Sequence, residues 1–316
     1  MNNSCDISII IPFLNEEDNI ERLTYELNKF VSNNKEINFE IILVNDGSAD
    51  RSLEKIKGSI FPAHTKLINL SQNYGSHAAL RAGILYAGGN FIVFSYADLQ
   101  DPLENIILMF DKMNLGNDIV WAYRKTSKNS FFEELFSKGY ARLMKKYVNK
   151  NFPENGFDIV MFNTKIREKL NQNIESNSSI FLQILNLGFK SESIEYIKNQ
   201  RIAGKSKWGF SKKVKLLIDS FVAFSYMPIR LVSLVGISFF IVGIIWSGYI
   251  ITRKLIFDDL SSGWPALIST LLIGFGITNI SLGIIAEYLW RTLDASRRRP
   301  VFIIDEIIEL NKNNAK

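Results

Sequence analysis

From Ile7 to Tyr123 the chain alternates between two hydrophobic periods. Short β-branched runs are separated by segments whose apolar residues recur every three or four positions. Ile7–Ile11 (ISIII) predicts a strand, and Ile20, Leu23, Leu27, Phe30 and Val31 then mark one face of a helix. Glu40–Val44 (EIILV) predicts a second strand, followed by a turn at Asn45-Asp46-Gly47-Ser48 and a helix carrying Leu53 and Ile56. Lys66–Leu70, Phe91–Ser95 and Ile119–Tyr123 read as further strands, with helices over Ser76–Ala87 and from Pro102 between them. Strands that alternate with helices imply right-handed crossovers and a mostly parallel sheet covered on both faces, an α/β fold.

Beyond Phe224 the pattern changes. No charge occurs from Leu231 to Ile251, nor from Pro265 to Ala286. Each run is close to the ~20 residues that cross a bilayer core as a helix. Basic residues precede the first run (Arg201, Lys205, Lys207, Lys212, Lys213, Lys215, Arg230) and follow the second (Arg291, Arg297, Arg298, Arg299). Between the runs, Arg253 and Lys254 are balanced by Asp258 and Asp259. The positive-inside rule then places both termini in the cytoplasm, in a multi-pass protein of the inner (plasma) membrane. The expected organisation is a cytoplasmic α/β domain over 1–210 and an amphipathic juxtamembrane helix over 211–230. Transmembrane helices follow over 231–251 and 265–287, joined by a short external loop at 252–264, and a cytoplasmic tail runs over 288–316.

Composition adds little to this division. The 316 residues are 47% hydrophobic and 22% charged, with a net charge of +5. The positive charge gathers beside the apolar runs, which suits anionic lipid and phosphate rather than nucleic acid. The start, MNNSCDISIIIP, lacks the basic-then-apolar pattern of a signal peptide. The single cysteine, Cys5, rules out an intrachain disulfide and fits a reducing compartment.

Candidate chemistry sits where strands end. Asn15-Glu16-Glu17 follows strand one, Asn45-Asp46 strand two, Asn73 strand three, and Asp98-Leu99-Gln100 strand four. Ligands of open parallel sheets bind beyond those carboxyl ends. The Gly-rich dinucleotide fingerprint, the Walker phosphate loop and the G-x-S-x-G elbow are all absent, and two histidines without a nearby cysteine make no zinc site. A rim of carboxylates and amides remains, suited to a hard cation that would hold a diphosphate. Nucleotide-sugar transfer uses such an arrangement, with the metal neutralising the charge on the leaving group.

Seven ordered segments carry a resemblance. They are IPFLNEEDNI (Ile11–Ile20), LVNDGSADRS (Leu43–Ser52), NYGSHAALRAG (Asn73–Gly83), ADLQDPLE (Ala97–Glu104), GFDIVMF (Gly156–Phe162), RIAGKSKW (Arg201–Trp208) and AEYLWR (Ala286–Arg291). On these the chain resembles a family-2 glycosyltransferase of the Rossmann-like GT-A fold. The branch is that of dolichol-phosphate mannose synthase and the bacterial undecaprenyl-phosphate sugar transferases. The resemblance implies a nucleotide pocket lined by Pro12, Asn15, Glu16, Asp46 and Asn73. Asp98 and Gln100 would bind Mg²⁺ or Mn²⁺, and Asp158 would stand near the acceptor, whose phosphate Arg124 meets. Arg201, Ser206 and Lys207 would close over the phosphates. The implied reaction is the inverting transfer of one sugar from a nucleotide-sugar donor to a polyprenyl phosphate at the cytoplasmic face. A UDP-linked hexose or N-acetylhexosamine is the expected donor, and the product would supply cell-surface glycan modification. Relatives often assemble through their membrane helices, which leaves room for a homo-oligomer.

One position departs from that pattern. Most relatives read Asp-Ala-Asp-Leu where this chain reads Tyr96-Ala97-Asp98-Leu99. The loss of the first acid keeps a second reading in play, a membrane-tethered scaffold that binds nucleotide sugar without turning it over. A processive polysaccharide synthase fits less well, because the Q-x-x-R-W motif and additional spans are absent. Read bare, Asp101-Pro102 is a helix start, and Asp46-Gly47-Ser48 a turn whose acid caps the next helix.

Overall fold

The computed structural model describes residues 5–61, 63–125, 139, 141–150, 152–153, 156–173, 178–199, part of 232–256, 263–297 and 300–310. Among these residues eight strands form one sheet: β1 (Ile7–Phe13), β2 (Phe39–Asn45), β3 (His64–Leu70), β4 (Phe91–Phe94), β5 (Ile119–Arg124), β6 (Ile159–Asn163), β7 (Ser191–Tyr196) and β8 (Ile304–Glu309). Their spatial order is β7-β5-β6-β4-β1-β2-β3-β8. Helices α1 (Ile20–Asn33), α2 (Ser52–Lys57), α3 (Ser76–Tyr86) and α4 (Glu104–Asn114) connect the first five strands as the sequence predicts. Helices α5 (Thr164–Gln172) and α6 (Ile180–Asn186) lie between β6 and β7.

Strand composition explains strand position. Every residue of β1 and of β2 is buried, as expected of central strands covered on both faces. The outer strands β7 (SESIEY) and β8 (IDEIIE) carry acids and expose half of their residues, which discourages further edge pairing. The core joins Ile9, Ile11, Leu23, Leu27, Ile41, Leu43 and Val93 into one cluster.

Two strands run against the rest. β6 is antiparallel to both β4 and β5, and β8 is antiparallel to β3. The rim formed by the ends of the parallel strands therefore also holds the starts of β6 and β8. The chain over 288–316 is thus more than the tail expected from the sequence. Residues 304–309 complete the far edge of the sheet, and Asn69 Nδ2 donates to Asp305 Oδ2 at 3.2 Å there.

The opposite end of the sheet holds a structural acid. Glu40, 4% exposed, accepts from Ser8 Oγ at 2.5 Å, from Lys66 Nζ at 2.6 Å and from the Gly88 N–H at 2.8 Å. Burial alone would raise its carboxyl, but the bonds from Lys66, Ser8 and Gly88 outweigh it and hold Glu40 below the usual carboxylate range. A depressed folded value stabilises the protein above the unfolded value, about 4.3, and that contribution is lost as pH falls through the folded one. Glu40→Gln should cost about 2 kcal/mol at neutral pH. Melting of both proteins from pH 7 to pH 3 checks this, because the gap must narrow in acid.

The chain divides into two compact units, Met1–Asp219 with Pro300–Lys316, and Ser220–Arg299. In the second unit α7 (Trp264–Arg297) is a single helix of 34 residues. It contains the one stretch among the described residues that is long and apolar enough to cross a membrane, Ile273–Trp290, with a mean hydropathy of 1.3. The second expected span, 265–287, falls within α7, and the helix continues to Arg297. The described positions of the first expected span, 231–251, are helical; the others lie outside the described residues, as does the expected juxtamembrane helix at 211–230.

Candidate active site

The rim is built by four loops, of which those after β1, β2 and β3 are bonded in series. After β1, Asn15 takes a left-handed backbone (φ 50), which asparagine tolerates, and its amide oxygen accepts from the Ala49 N–H at 2.8 Å. The Asn15 and Glu16 N–H groups donate to Ser48 Oγ and Ser52 Oγ at 3.0 and 2.8 Å. Glu16 also accepts from Asn19 Nδ2 at 2.6 Å. Pro12 is buried within β1, one residue before its end.

Asp46 lies just beyond β2 and is 3% exposed. It does not cap α2. Its Oδ1 accepts from the Tyr74 N–H at 2.8 Å and its Oδ2 from the Gly75 N–H at 3.0 Å, which ties the exit of β2 to the loop before α3. Burial raises its carboxyl and those two bonds oppose the rise. Asn73, exposed in the same loop, accepts from the Gly75 N–H at 3.0 Å. Asn45 donates to Asn69 Oδ1 at 2.6 Å, and Asn69 in turn bonds Asp305.

Past β4, Leu99 is buried in the core with φ 49, a conformation bulky residues seldom adopt. Pinning Leu99 inward leaves its neighbours Asp98 and Gln100 partly exposed, and the Gln100 N–H donates to Asp98 Oδ1 at 3.3 Å. Strain held in place at such a position is a mark of function. β1 separates β2 from β4, so the exits bearing Asp46 and Asp98 are two strand spacings apart, about 10 Å. That span suits a nucleoside diphosphate.

The two residues expected beside the acceptor, Arg124 and Asp158, meet at the same rim. Arg124 ends β5 and Asp158 precedes β6, and antiparallel pairing sets them together: the Arg124 N–H donates to Asp158 Oδ2 at 3.0 Å. Asp158 Oδ1 lies 3.6 Å from Lys198 Nζ. Behind it the Phe157 ring sits 4.4 Å from Trp121 and stacks on Phe181 at 6.0 Å.

Asp101 is not the helix-start residue that its sequence context suggests, because α4 begins at Glu104 and draws no side-chain cap. It is 3% exposed, accepts from the Tyr196 hydroxyl at 2.5 Å, and pairs with Lys198 Nζ at 3.1 Å. Burial pushes its carboxyl above the usual range against the pull of Lys198 and Tyr196, and Asp158 adds to the rise. Tyr96 shares this environment: burial first, then the charges of Asp101, Asp158 and Asp98, push its phenol up, so it stays a neutral O–H group at any physiological pH.

A divalent cation fits Asp98 and Gln100. Together they offer a carboxylate and an amide oxygen two residues apart, the hard ligands that Mg²⁺ or Mn²⁺ takes while keeping waters and borrowing phosphate oxygens. Among the described residues no group of three or more His, Cys, Asp or Glu side chains forms a protein-only metal cage. Arg201, Ser206 and Lys207 lie outside the described residues.

The sequence profile described as Glycosyl transferase family 2 matches residues 8–175. The chain belongs to glycosyltransferase family 2. Its α/β sheet is accordingly GT-A-like, and the protein is a glycosyltransferase. Among relatives of this glycosyltransferase, the uncharacterized glycosyltransferase YkcC of Bacillus subtilis is 33% identical over 97% of this chain and 95% of its own length. The prophage bactoprenol glucosyl transferase homolog of Escherichia coli is 30% identical, over 95% of this chain and 99% of its own. The undecaprenyl-phosphate 4-deoxy-4-formamido-L-arabinose transferase of Proteus mirabilis is 28% identical, over 98% of this chain and 95% of its own.

Sequence reasoning misses Tyr196, Lys198 and Asn199 at the exit of β7. No motif marks them, and β7 itself is not among the predicted strands. Its alternation of Ser191, Ser193 and Glu195 with Glu192, Ile194 and Tyr196 is too polar to signal a sheet strand.

Proposed function

We propose that this glycosyltransferase moves one sugar from a nucleoside-diphosphate sugar to a polyprenyl phosphate at the cytoplasmic face of the inner membrane. The observation that carries the reading is that Asp98 and Gln100 share one rim with Asp158 and Arg124, linked through Lys198 and Asn199, which supports a donor side and an acceptor side in one site. Relatives named for bactoprenol and undecaprenyl phosphate support the acceptor class. The apolar stretch Ile273–Trp290, none of it buried, supports a membrane location, and the basic run Arg297–Arg299 beside it supports a cytoplasmic end. With 231–251 as a first, outward span, the second at 265–287 would return the chain to the cytoplasmic face. Undecaprenyl phosphate is the acceptor and a UDP-linked hexose or N-acetylhexosamine the donor in this reading, which serves cell-surface glycan modification.

In the reaction a phosphate oxygen of the acceptor attacks the anomeric carbon from the face opposite the leaving group. The carbon–oxygen bond to the diphosphate breaks, its electron pair leaves with the nucleoside diphosphate, and the anomeric centre inverts. A phosphate monoester has its second pKa near 6, so the nucleophile is already an anion and needs no strong base. Asp158 then orients the acceptor, and Arg124, Arg201 and Lys207 supply positive charge for its phosphate. Pro12, Asn15, Glu16, Asp46 and Asn73 form the nucleotide pocket, and Ser206 belongs to the closing segment. Mg²⁺ or Mn²⁺ on Asp98 and Gln100 would neutralise the charge growing on the leaving diphosphate. The neutral Tyr96 hydroxyl, where the resembled family pattern has an acid, adds no second negative charge to that site.

The test uses full-length protein in liposomes, a panel of nucleotide sugars and undecaprenyl phosphate, with Mn²⁺, Mg²⁺ or EDTA. A single-sugar lipid product and released nucleoside diphosphate are expected, both lost in EDTA. Binding of nucleotide sugar without turnover would favour the scaffold reading instead, and a polymeric product the processive one.

A further inference from the structure

Lys198 follows β7 by two residues and touches both halves of the site. Its ammonium lies 3.1 Å from Asp101 Oδ1 and 3.6 Å from Asp158 Oδ1, with its side chain only 24% exposed. Asp101 is anchored independently by the Tyr196 hydroxyl, and Asp158 by the Arg124 N–H on its other oxygen. One residue on, the Asn199 N–H donates to the Gln100 carbonyl at 2.8 Å, so the exit of β7 is also bonded to the loop that carries Asp98.

Charge makes this arrangement more than a strand-end bond. Asp98, Asp101 and Asp158 stand close enough for all three to act on the Tyr96 phenol, so without a cation between them they repel. An ammonium has three donors on a compact point charge and can hold two carboxylates at once. Partial burial makes the attraction several-fold stronger than in water.

We propose that Lys198 is a positioning residue for sugar transfer: one ammonium shared by Asp101 and Asp158 clamps the acceptor-side carboxylate to the loop bearing Asp98 and Gln100. The clamp sets how far apart the two substrates are held, and a misplacement of about 1 Å in such geometry costs up to about 10²-fold in rate. The inference rests on the function proposed above, in which Asp158 orients the acceptor.

The test is Lys198→Met, which keeps the stem and removes the charge, with Lys198→Gln as a polar variant able to bond one carboxylate but not two. Both should lower kcat for transfer to undecaprenyl phosphate about 10- to 100-fold and leave the KM for nucleotide sugar within about twofold. Lys198→Arg should recover most of the rate. In an Asp158→Asn background Lys198→Met should have little further effect, since the lysine acts through that carboxylate. If Lys198→Met fails to fold, Lys198→Gln and Lys198→Arg carry the comparison. A wild-type rate in the variants, an arginine no better than methionine, or losses that multiply in the double variant would each overturn the clamp while leaving the reaction itself intact. Wild-type protein that transfers no sugar to polyprenyl phosphate would overturn the function and the clamp together.

Discussion

Asp98→Asn should reduce sugar transfer by about 10²- to 10³-fold while the protein melts as wild type does. The amide keeps the size of the side chain and its partial exposure, and Leu99 still anchors the loop in the core. What disappears is the negative charge beside Gln100, in a pair that has no second acid because position 96 is tyrosine. A hard cation held by one carboxylate, one amide and the diphosphate is far weaker when that carboxylate becomes a second amide. Raising Mn²⁺ should therefore restore part of the activity of Asp98→Asn. Rates measured in liposomes against added Mn²⁺ check it, and a variant with wild-type transfer at every metal concentration would remove Asp98 from the reaction.

Gly47→Ala should damage stability and donor binding together. Gly47 has φ +71, and a Cβ there would stand 2.5 Å from the Gln72 carbonyl carbon and 2.6 Å from the Asn73 nitrogen, both main-chain atoms. The backbone conformation alone costs roughly 1 kcal/mol for alanine, and forcing the two loops apart adds roughly 1–3 kcal/mol. The two loops it would separate are those joined by Asp46 through Tyr74 and Gly75. Chemical denaturation should show a loss of about 3 kcal/mol, and the KM for nucleotide sugar should rise at least tenfold. An alanine variant as stable as wild type would mean the β3–α3 loop can retreat without cost.

Much of the rim is legible in the sequence, for a local reason. Apolar runs such as Ile7–Ile11 and Glu40–Val44 are buried on both faces, so their composition marks them as central strands without knowledge of their partners. The polar residues that follow such a run must lie where the strand ends. Asn15, Glu16, Asp46, Asn73 and Asp98 fall at one edge of the sheet for that reason. Asp101 shows the limit of the rule. Beside Pro102 it reads as a helix start, yet the partners that define it, Tyr196 and Lys198, stand almost a hundred residues away in the chain.

The sequence by itself determined the alternation of strands and helices, the family, the apolar C-terminal stretch and the polar residues placed at the strand ends. The elements and the apolar stretch are encoded by spacing within a few dozen residues, and the family by seven ordered segments along the chain. The tertiary structure decided which strands reverse. Antiparallel β6 brings Asp158 to Arg124, the late strand β8 brings Asp305 to Asn69, and the polar edge strand β7 delivers Lys198 between two carboxylates. Strand direction at a sheet edge depends on pairing between distant segments, and short polar strands carry no periodic signal that would announce it.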